Sequence, residues 1–364
     1  MAGPQLIVIK LGSGVVAPGG TLDRERLTRL ALDMAGVIRA GTSVVLVSSG
    51  AVAAGFEELG LAAMPTTIVG KQAAAAVGQS RLVGAWASAF DPAGIAVAQV
   101  LLTAEDLDHR SRFLNARRTL ETLIDAGVVP IINANDSVSH DTSHFGDNDR
   151  LSAHVASALD ADQLVVLSVV GGVQDDSGGV VAVIEDIGRA RRWLRDEASS
   201  VGTGGMSAKL DAADIAVDAG IPVTIAAAST PGLIARLVAG ERVGTHLPAR
   251  AARSARKRWI GHAARPRGSV IIDDGASRAL RTTGASLLPA GVTSVEGEFE
   301  AGSVIEIRDG AGAVIARGLS AYASHEVRRL AGRRSDEIAS ILGYVYAEEI
   351  VHRTDMHVTA GSTP

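Results

Sequence analysis

Residues 6–14 read Leu-Ile-Val-Ile-Lys-Leu-Gly-Ser-Gly. The run Leu6–Leu11 predicts a β-strand, and the lysine near its end followed by a glycine-rich turn suits a phosphate. Backbone N–H groups approach anionic oxygens closely only where side chains are absent, and an ammonium group neutralises charge. Taken alone, the same turn also reads as a plain turn. The pattern recurs downstream, with strands predicted at 43–47, 95–101, 128–132, 164–168 and 222–226. Between them, 24–39, 71–89, 104–126 and 207–219 carry apolar residues at helical spacing. Strands alternating with helices predict an α/β fold: an open, mainly parallel sheet sandwiched by helices. Ligands of such sheets bind beyond the carboxyl ends of the strands.

The chain has 364 residues, which predicts two or three domains. An apolar content of 47% supports a sizeable core and excludes global disorder. The formal net charge of −5 and an aromatic content of 3% argue against a whole-protein nucleic-acid binder. With no cysteine, disulfides, thiolate metal sites and a cysteine nucleophile are excluded. No signal-peptide pattern opens the chain and no stretch of about 18 apolar residues occurs, so a soluble cytoplasmic protein without a membrane span is expected. Composition shifts near residue 250. The predicted division is a first domain over 1–250, a basic linker over 251–267, a small mostly-β domain over 268–344 and a tail over 345–364, poorly ordered from Thr354. Strands are predicted there at 270–272, 303–308 and 314–319.

Four further strand-end motifs carry chemistry. Ser48-Ser49-Gly50-Ala51 offers an anion or carboxylate seat at a helix start, or an ordinary serine cap. Asn133-Ala134-Asn135-Asp136-Ser137 and Phe145-Gly146-Asp147-Asn148-Asp149-Arg150 are dense in amides and carboxylates. Such loops are common as turns, yet as a pair they suit a zwitterion: carboxylates take an ammonium group and asparagine donates to a carboxylate. An aspartate beside phosphate-binding lysines also holds their heads in place. Gly202-Thr203-Gly204-Gly205-Met206-Ser207-Ala208-Lys209 runs a glycine-rich loop into a helix that presents a lysine. It is not a Walker loop, which ends Gly-Lys-Ser/Thr, but it offers N–H groups and a cation to a phosphate. His140 and His144 flank Asp141 in a loop-like stretch, which does not favour metal ligation; no metal ligand is assigned to a side chain. Arg253, Arg256, Lys257 and Arg258 read as a solvated linker face or a subunit contact.

Together these motifs resemble the glutamate 5-kinases of the amino-acid kinase family. The likeness runs through Val8–Gly12, Ser48–Ala51, Lys71–Ala74, Gln99–Thr103, Asn135-Asp136, Gly146–Asp149 and Gly202–Met206. The C-terminal part resembles a PUA domain, on Ser286–Pro289 and Ile341–Tyr344. The resemblance implies ATP-dependent phosphorylation of the γ-carboxylate of L-glutamate with Mg²⁺, the first step of proline biosynthesis. By the same likeness Ser49, Gly50, Asp136 and Asn148 bind the substrate. Lys10, Gly12, Ser168, Val169, Thr203, Gly204, Gly205, Met206, Ser207, Ala208 and Lys209 serve the nucleotide and its phosphates. Lys10 and Lys209 stabilise the transferring phosphoryl group and Asp149 orients them. A carboxylate is already a nucleophile, so no strong base is required. Feedback inhibition by proline and self-association as a homo-oligomer are further implications.

The sequence departs from the family pattern on the nucleotide side. Family members carry an acid where Val169 stands and an aromatic where Gln174 stands, and Lys or Arg is common at His144. A kinase paralogue forming an acyl phosphate of a related amino acid is therefore an alternative. A non-catalytic regulator contacting RNA through the PUA-like domain is another, opposed by the low aromatic content and the acidic charge.

Overall fold

The computed structural model describes residues 5–103, 106, 110–138, 148–194, 205–250 and 266–358. The chain divides into two compact units, Met1–Arg253 and Ser254–Pro364.

The first unit holds strands β1 (Leu6–Leu11), β2 (Ser43–Ser48), β3 (Val97–Leu102), β4 (Val129–Ala134), β5 (Gln163–Ser168), β6 (Val223–Ala227) and β7 (Thr245–Leu247). Its helices are α1 (Ser13–Val16), α2 (Arg24–Arg39), α3 (Ala51–Gly55), α4 (Ile68–Phe90), α5 (Arg110–Asp125), α6 (Asn148–Ala158), α7 (Ile187–Ala190), α8 (Met206–Asp218) and α9 (Leu233–Val238). The sheet runs β3-β4-β2-β1-β5-β6-β7, all parallel except the β6–β7 pair. That is the α/β class the strand–helix rhythm predicts. The chain leaves β1 toward β2 on one side and later builds β5 against its other side. A crevice therefore opens beyond the carboxyl ends of β1 and β5.

The period of two along β1 decides what faces the crevice. Ile7, Ile9 and Leu11 join one core layer with Leu46, Trp86 and Phe90, packed by α2 and α4. Val8 joins the opposite layer with Val166, Leu151 and Leu210, packed by α6 and α8. Lys10 shares the face of Val8 and so points toward the helices that begin at Asn148 and Met206.

Two glycines let α3 lie directly on α4. A Cβ at Gly78 would sit 1.8 Å from the Ala51 carbonyl oxygen, and one at Gly55 would sit 2.0 Å from that of Ala74. No side chain fits either gap. The contact anchors Gly50, whose φ of 114° lies in the left-handed region open to glycine.

The second unit is a mixed five-stranded sheet, β12-β11-β10-β8-β9, from β8 (Gly268–Ile272), β9 (Val292–Gly297), β10 (Val304–Arg308), β11 (Val314–Leu319) and β12 (Met356–Val358). It is joined by α10 (Asp274–Thr283), α11 (Ser324–Leu330) and α12 (Ile338–Leu342). The expectation of a tail from residue 345 does not hold for the described residues 345–358. Ile350, Val351 and Met356 are core residues, and Met356–Val358 pairs antiparallel with β11. The buried Tyr322 hydroxyl donates to the Ala347 carbonyl (2.5 Å) and accepts from the N–H groups of Tyr346 and Ala347. One tyrosine thus fixes the segment that leads into β12. Alternating Met-His-Val is too short a run to read as a strand on its own. Among the described residues no helix is long and apolar enough to cross a membrane.

Candidate functional site

Three charged side chains from three elements meet in the crevice. Asp149, in the first turn of α6, has its Oδ1 2.7 Å from Lys10 Nζ on β1 and its Oδ2 3.7 Å from Lys209 Nζ on α8. All three are buried: Lys10 is 3% exposed, Asp149 2% and Lys209 6%. The Lys10 contact is an ion pair and not an aligned hydrogen bond. Lys209 Nζ also approaches the Gly205 carbonyl at 3.5 Å. Placing two ammonium groups against one carboxylate out of water is costly unless a further anion completes the set. Asp149 also gains from its place at a helix N-terminus, where the helix dipole favours negative charge.

Around this trio lie the small residues. Gly12 precedes α1, and a Cβ on it would stand 3.6 Å from Lys10 Nζ. Gly205 precedes α8, whose first turn carries Met206, Ser207 and Ala208. Ser168 ends β5 and is buried. Val169 follows it, 66% exposed, and its Cγ1 would stand 3.5 Å from a Cβ on Gly14. The turns after β1 and β5 are therefore neighbours. The β5 turn continues into a small hairpin, with Gln174 bridged to Val180. Asp175 closes its bend. Its Oδ1 accepts from the Ser177 hydroxyl (2.6 Å) and from the N–H groups of Ser177 and Gly179, which hold the carboxyl below the usual range.

A second cluster forms where the turns after β2 and β4 meet. Asn148 Nδ2 donates to Ser49 Oγ (3.1 Å), and the Ala134 N–H donates to Asn148 Oδ1 (3.1 Å). Ser49 does not cap α3. That position belongs to Gly50, with no side-chain bond. Its hydroxyl instead accepts from Asn148, which leaves the hydroxyl hydrogen and the second amide hydrogen of Asn148 as two neighbouring donors. Asp136 is buried in the turn after β4.

The structure thus brings Lys10, Asp149 and Lys209 together, and separately joins Ser49 to Asn148. Asn148 and Asp149 are adjacent in the chain, so one helix start serves both clusters. Thr203, Gly204, His140, Asp141, His144 and the basic run 253–258 lie outside the described residues. Sequence reasoning passed over Gln79 and Trp86 of α4 and took Asn133 only as part of the amide-rich motif at the end of β4. Gln79 Oε1 accepts from Asn133 Nδ2 and its Nε2 donates to the Ala134 carbonyl, both at 3.2 Å. Trp86 Nε1 donates to Ser48 Oγ (3.0 Å). The available signal was a glutamine in the apolar stripe formed by Ala75, Leu82 and Trp86.

A parallel sheet with paired lysines at its switch point, bridged by one aspartate, is the arrangement of a small-molecule phosphotransferase. The amino acid kinase family model matches residues 5–227, and the chain belongs to that family. The PUA domain model matches residues 268–342. Within the family, the chain is 46% identical over 360 residues to a glutamate 5-kinase of Syntrophotalea carbinolica, covering 97% of this chain and 96% of that one. It is 46% identical over 361 residues to that of Geobacter sulfurreducens, with 97% of each covered. It is 43% identical over 353 residues to that of Thermus thermophilus, with 95% of each covered. A solved carbamate kinase of Giardia shares the fold at 18% identity and a TM-score of 0.51, over 68% of this chain and 99% of that one.

Proposed function

We propose that this chain transfers the γ-phosphoryl group of ATP to the γ-carboxylate of L-glutamate. The product is γ-glutamyl phosphate, the first intermediate of proline biosynthesis. The observation that carries the reading is Asp149 held between the buried lysines Lys10 and Lys209, beside the Ser49–Asn148 donor pair. Full-length likeness to relatives named glutamate 5-kinase supports the choice of acceptor.

Each group has a definite task in this reading. Ser49 and Asn148 donate to a carboxylate of glutamate, and the buried Asp136 carboxylate takes the ammonium group. Lys10 and Lys209 contact the oxygens of the γ-phosphoryl group, where negative charge must be neutralised as the group passes between two anions. Asp149 keeps both ammonium heads at that point and keeps either one from swinging away. Gly12, Gly205 and the first turn of α8 let the triphosphate approach the backbone, with Thr203 and Gly204 assigned to the same role. Ser168 and Val169 line the nucleotide side, where Val169 presents an apolar face. The acceptor oxygen forms a bond to the γ-phosphorus as the bond to the bridging oxygen breaks and ADP leaves. No proton needs to move, because the attacking carboxylate is already ionised.

Mg²⁺ is expected with ATP. Among the described residues no group of three or more His, Asp or Glu is placed to hold a cation, and Asp149 faces two lysines. The chemistry of these donors fits an ion held chiefly by the triphosphate and water, as is usual for nucleotide-bound Mg²⁺. When bound, the ion neutralises phosphate charge. Inhibition by proline in the glutamate seat and association of several chains belong to the same reading.

The test is to incubate the protein with ATP, Mg²⁺, L-glutamate and hydroxylamine and to quantify γ-glutamyl hydroxamate. The expected signal needs glutamate and disappears in Lys10→Ala. A folded wild-type protein that gives no glutamate-dependent signal, but responds to another amino acid in a panel, would reassign the acceptor.

A further inference from the structure

Helix α4 is rich in alanine and apolar residues, yet it turns two polar groups toward the acceptor side. Gln79 lies on the buried face with Ala75, Leu82 and Trp86, and is only 7% exposed. Burying a primary amide costs free energy unless both of its ends are hydrogen-bonded. Here both are, and to the same short segment: Asn133 Nδ2 donates to Gln79 Oε1, and Gln79 Nε2 donates to the Ala134 carbonyl.

The Ala134 peptide is the hinge of the acceptor cluster. Its N–H lies 2.8 Å from Asn133 Oδ1 and 3.1 Å from Asn148 Oδ1. An asparagine amide has nearly the same shape after a half-turn, so its orientation is decided by its hydrogen-bond partners. With Oδ1 facing the Ala134 N–H, Nδ2 must face Ser49 Oγ, as observed at 3.1 Å. The reverse orientation would turn the amide oxygen toward Ser49 and take one donor from the carboxylate seat. Two helical turns beyond Gln79 on the same face, Trp86 secures the other half. It donates to Ser48 Oγ, and that hydroxyl donates to the Ser49 carbonyl (3.1 Å).

We propose that Gln79 is a positioning residue for phosphoryl transfer. Through Asn133 and the Ala134 peptide it sets the amide of Asn148, so that Ser49 and Asn148 both present donors to the carboxylate of the acceptor. The inference rests on the assignment of Ser49 and Asn148 to glutamate. It adds a residue on a different element, with no contact to substrate, that controls acceptor affinity and not nucleotide affinity.

The test is steady-state hydroxamate kinetics on the full chain with Gln79→Met and, as a second variant, Asn133→Asp. Methionine keeps the length and most of the volume of glutamine but makes neither hydrogen bond. Asparagine-to-aspartate keeps the shape and removes the donor to Gln79. The KM for glutamate is expected to rise about tenfold in each, the effect of one or two lost hydrogen bonds. The KM for ATP stays within about twofold, because the Lys10–Asp149–Lys209 trio is untouched. A packing role alone predicts that Gln79→Met behaves as wild type. If either variant fails to fold, the other carries the same comparison. An unchanged glutamate KM in the folded variants, or a parallel rise in both KM values, overturns the proposal while leaving the functional reading standing. A wild type without glutamate-dependent signal overturns that reading and this inference with it.

Discussion

Replacing Asp149 with asparagine removes the one carboxylate that the structure sets between two buried lysines. At 2.7 Å and 3.7 Å, and with an effective dielectric constant of roughly 20, the two attractions come to about 6 and about 4 kcal/mol. Dehydration of the three ions offsets most of this, at several kcal/mol for each ion. The loss is nevertheless asymmetric. Asparagine leaves both ammonium groups buried, and removing one partner of a buried pair typically costs about 3–5 kcal/mol. In a unit of this size that corresponds to a fall in melting temperature of roughly 6–20 °C. Turnover should fall by about two to three orders of magnitude, the usual effect of disturbing a preorganised charge stabiliser.

Two assays separate this from simple damage. Thermal unfolding of Asp149→Asn should show the deficit in buffer and a smaller one with saturating MgATP, because the triphosphate brings negative charge to the same lysines. Hydroxamate kinetics should show the loss in kcat with little change in the KM for glutamate. A variant that melts within about 2 °C of wild type and turns over within about threefold of it would refute the bridging role, since neither buried lysine would then need Asp149.

Three other outcomes are expected. Lys209→Ala should abolish detectable hydroxamate while the far-ultraviolet circular dichroism stays that of wild type, because Asp149 still has Lys10 as its ion-pair partner; wild-type turnover would remove Lys209 from the reaction. Gly78→Ala should destabilise the first unit by about 3 kcal/mol or more in urea unfolding, because its methyl group meets the Ala51 carbonyl oxygen at 1.8 Å and a backbone must shift; a loss under about 1 kcal/mol would show that α3 can retreat without cost. In the second unit, burial pushes the Glu306 carboxyl up, but hydrogen bonds from Arg308 and Arg317 outweigh it and hold the group below its ordinary 4.5. A lowered native value stabilises the fold above the unfolded value, and the gain is lost as pH falls through the native one. Calorimetry of Glu306→Gln should therefore show a deficit against wild type that is constant above about pH 4.5 and shrinks below it; a deficit independent of pH would assign the effect to packing.

Much of the first unit was legible because each element announced itself locally. Leu6–Leu11 and Arg24–Arg39 have the bounds that β-branched content and helical spacing suggest, and Asp23 caps α2 by accepting from the Arg26 N–H. The edges were less legible. β7 is three residues long, and β9 exposes most of its side chains, so neither carries a period that can be counted. β12 failed for the same reason, and its place in the fold depends on Tyr322, far from it in sequence.

The site divides along the same line. Lys10, Asp149 and Lys209 stand at a strand end or in the first turn of a helix, where an α/β chain gathers its ligands, so glycine-rich turns and an acid-rich loop marked their neighbourhoods and the family resemblance supplied their roles. Gln79 stands inside a helix, where a polar residue has no local signature, and Asn133 stands inside a strand, where its motif pointed to a ligand and not to Gln79. Their role follows from the order of the sheet. β4 lies between β3, the strand before it in the chain, and β2, a strand far from it in sequence, and this second pairing brings the turn after residue 134 against the turn after residue 48. Helix α4 packs over that junction and supplies both Gln79 and Trp86 to it. The groups that would touch substrate are set by where strands end, whereas the groups that hold them still are set by which strands are neighbours. Local pattern carries the first kind of information, and only the long-range pairing of the sheet carries the second.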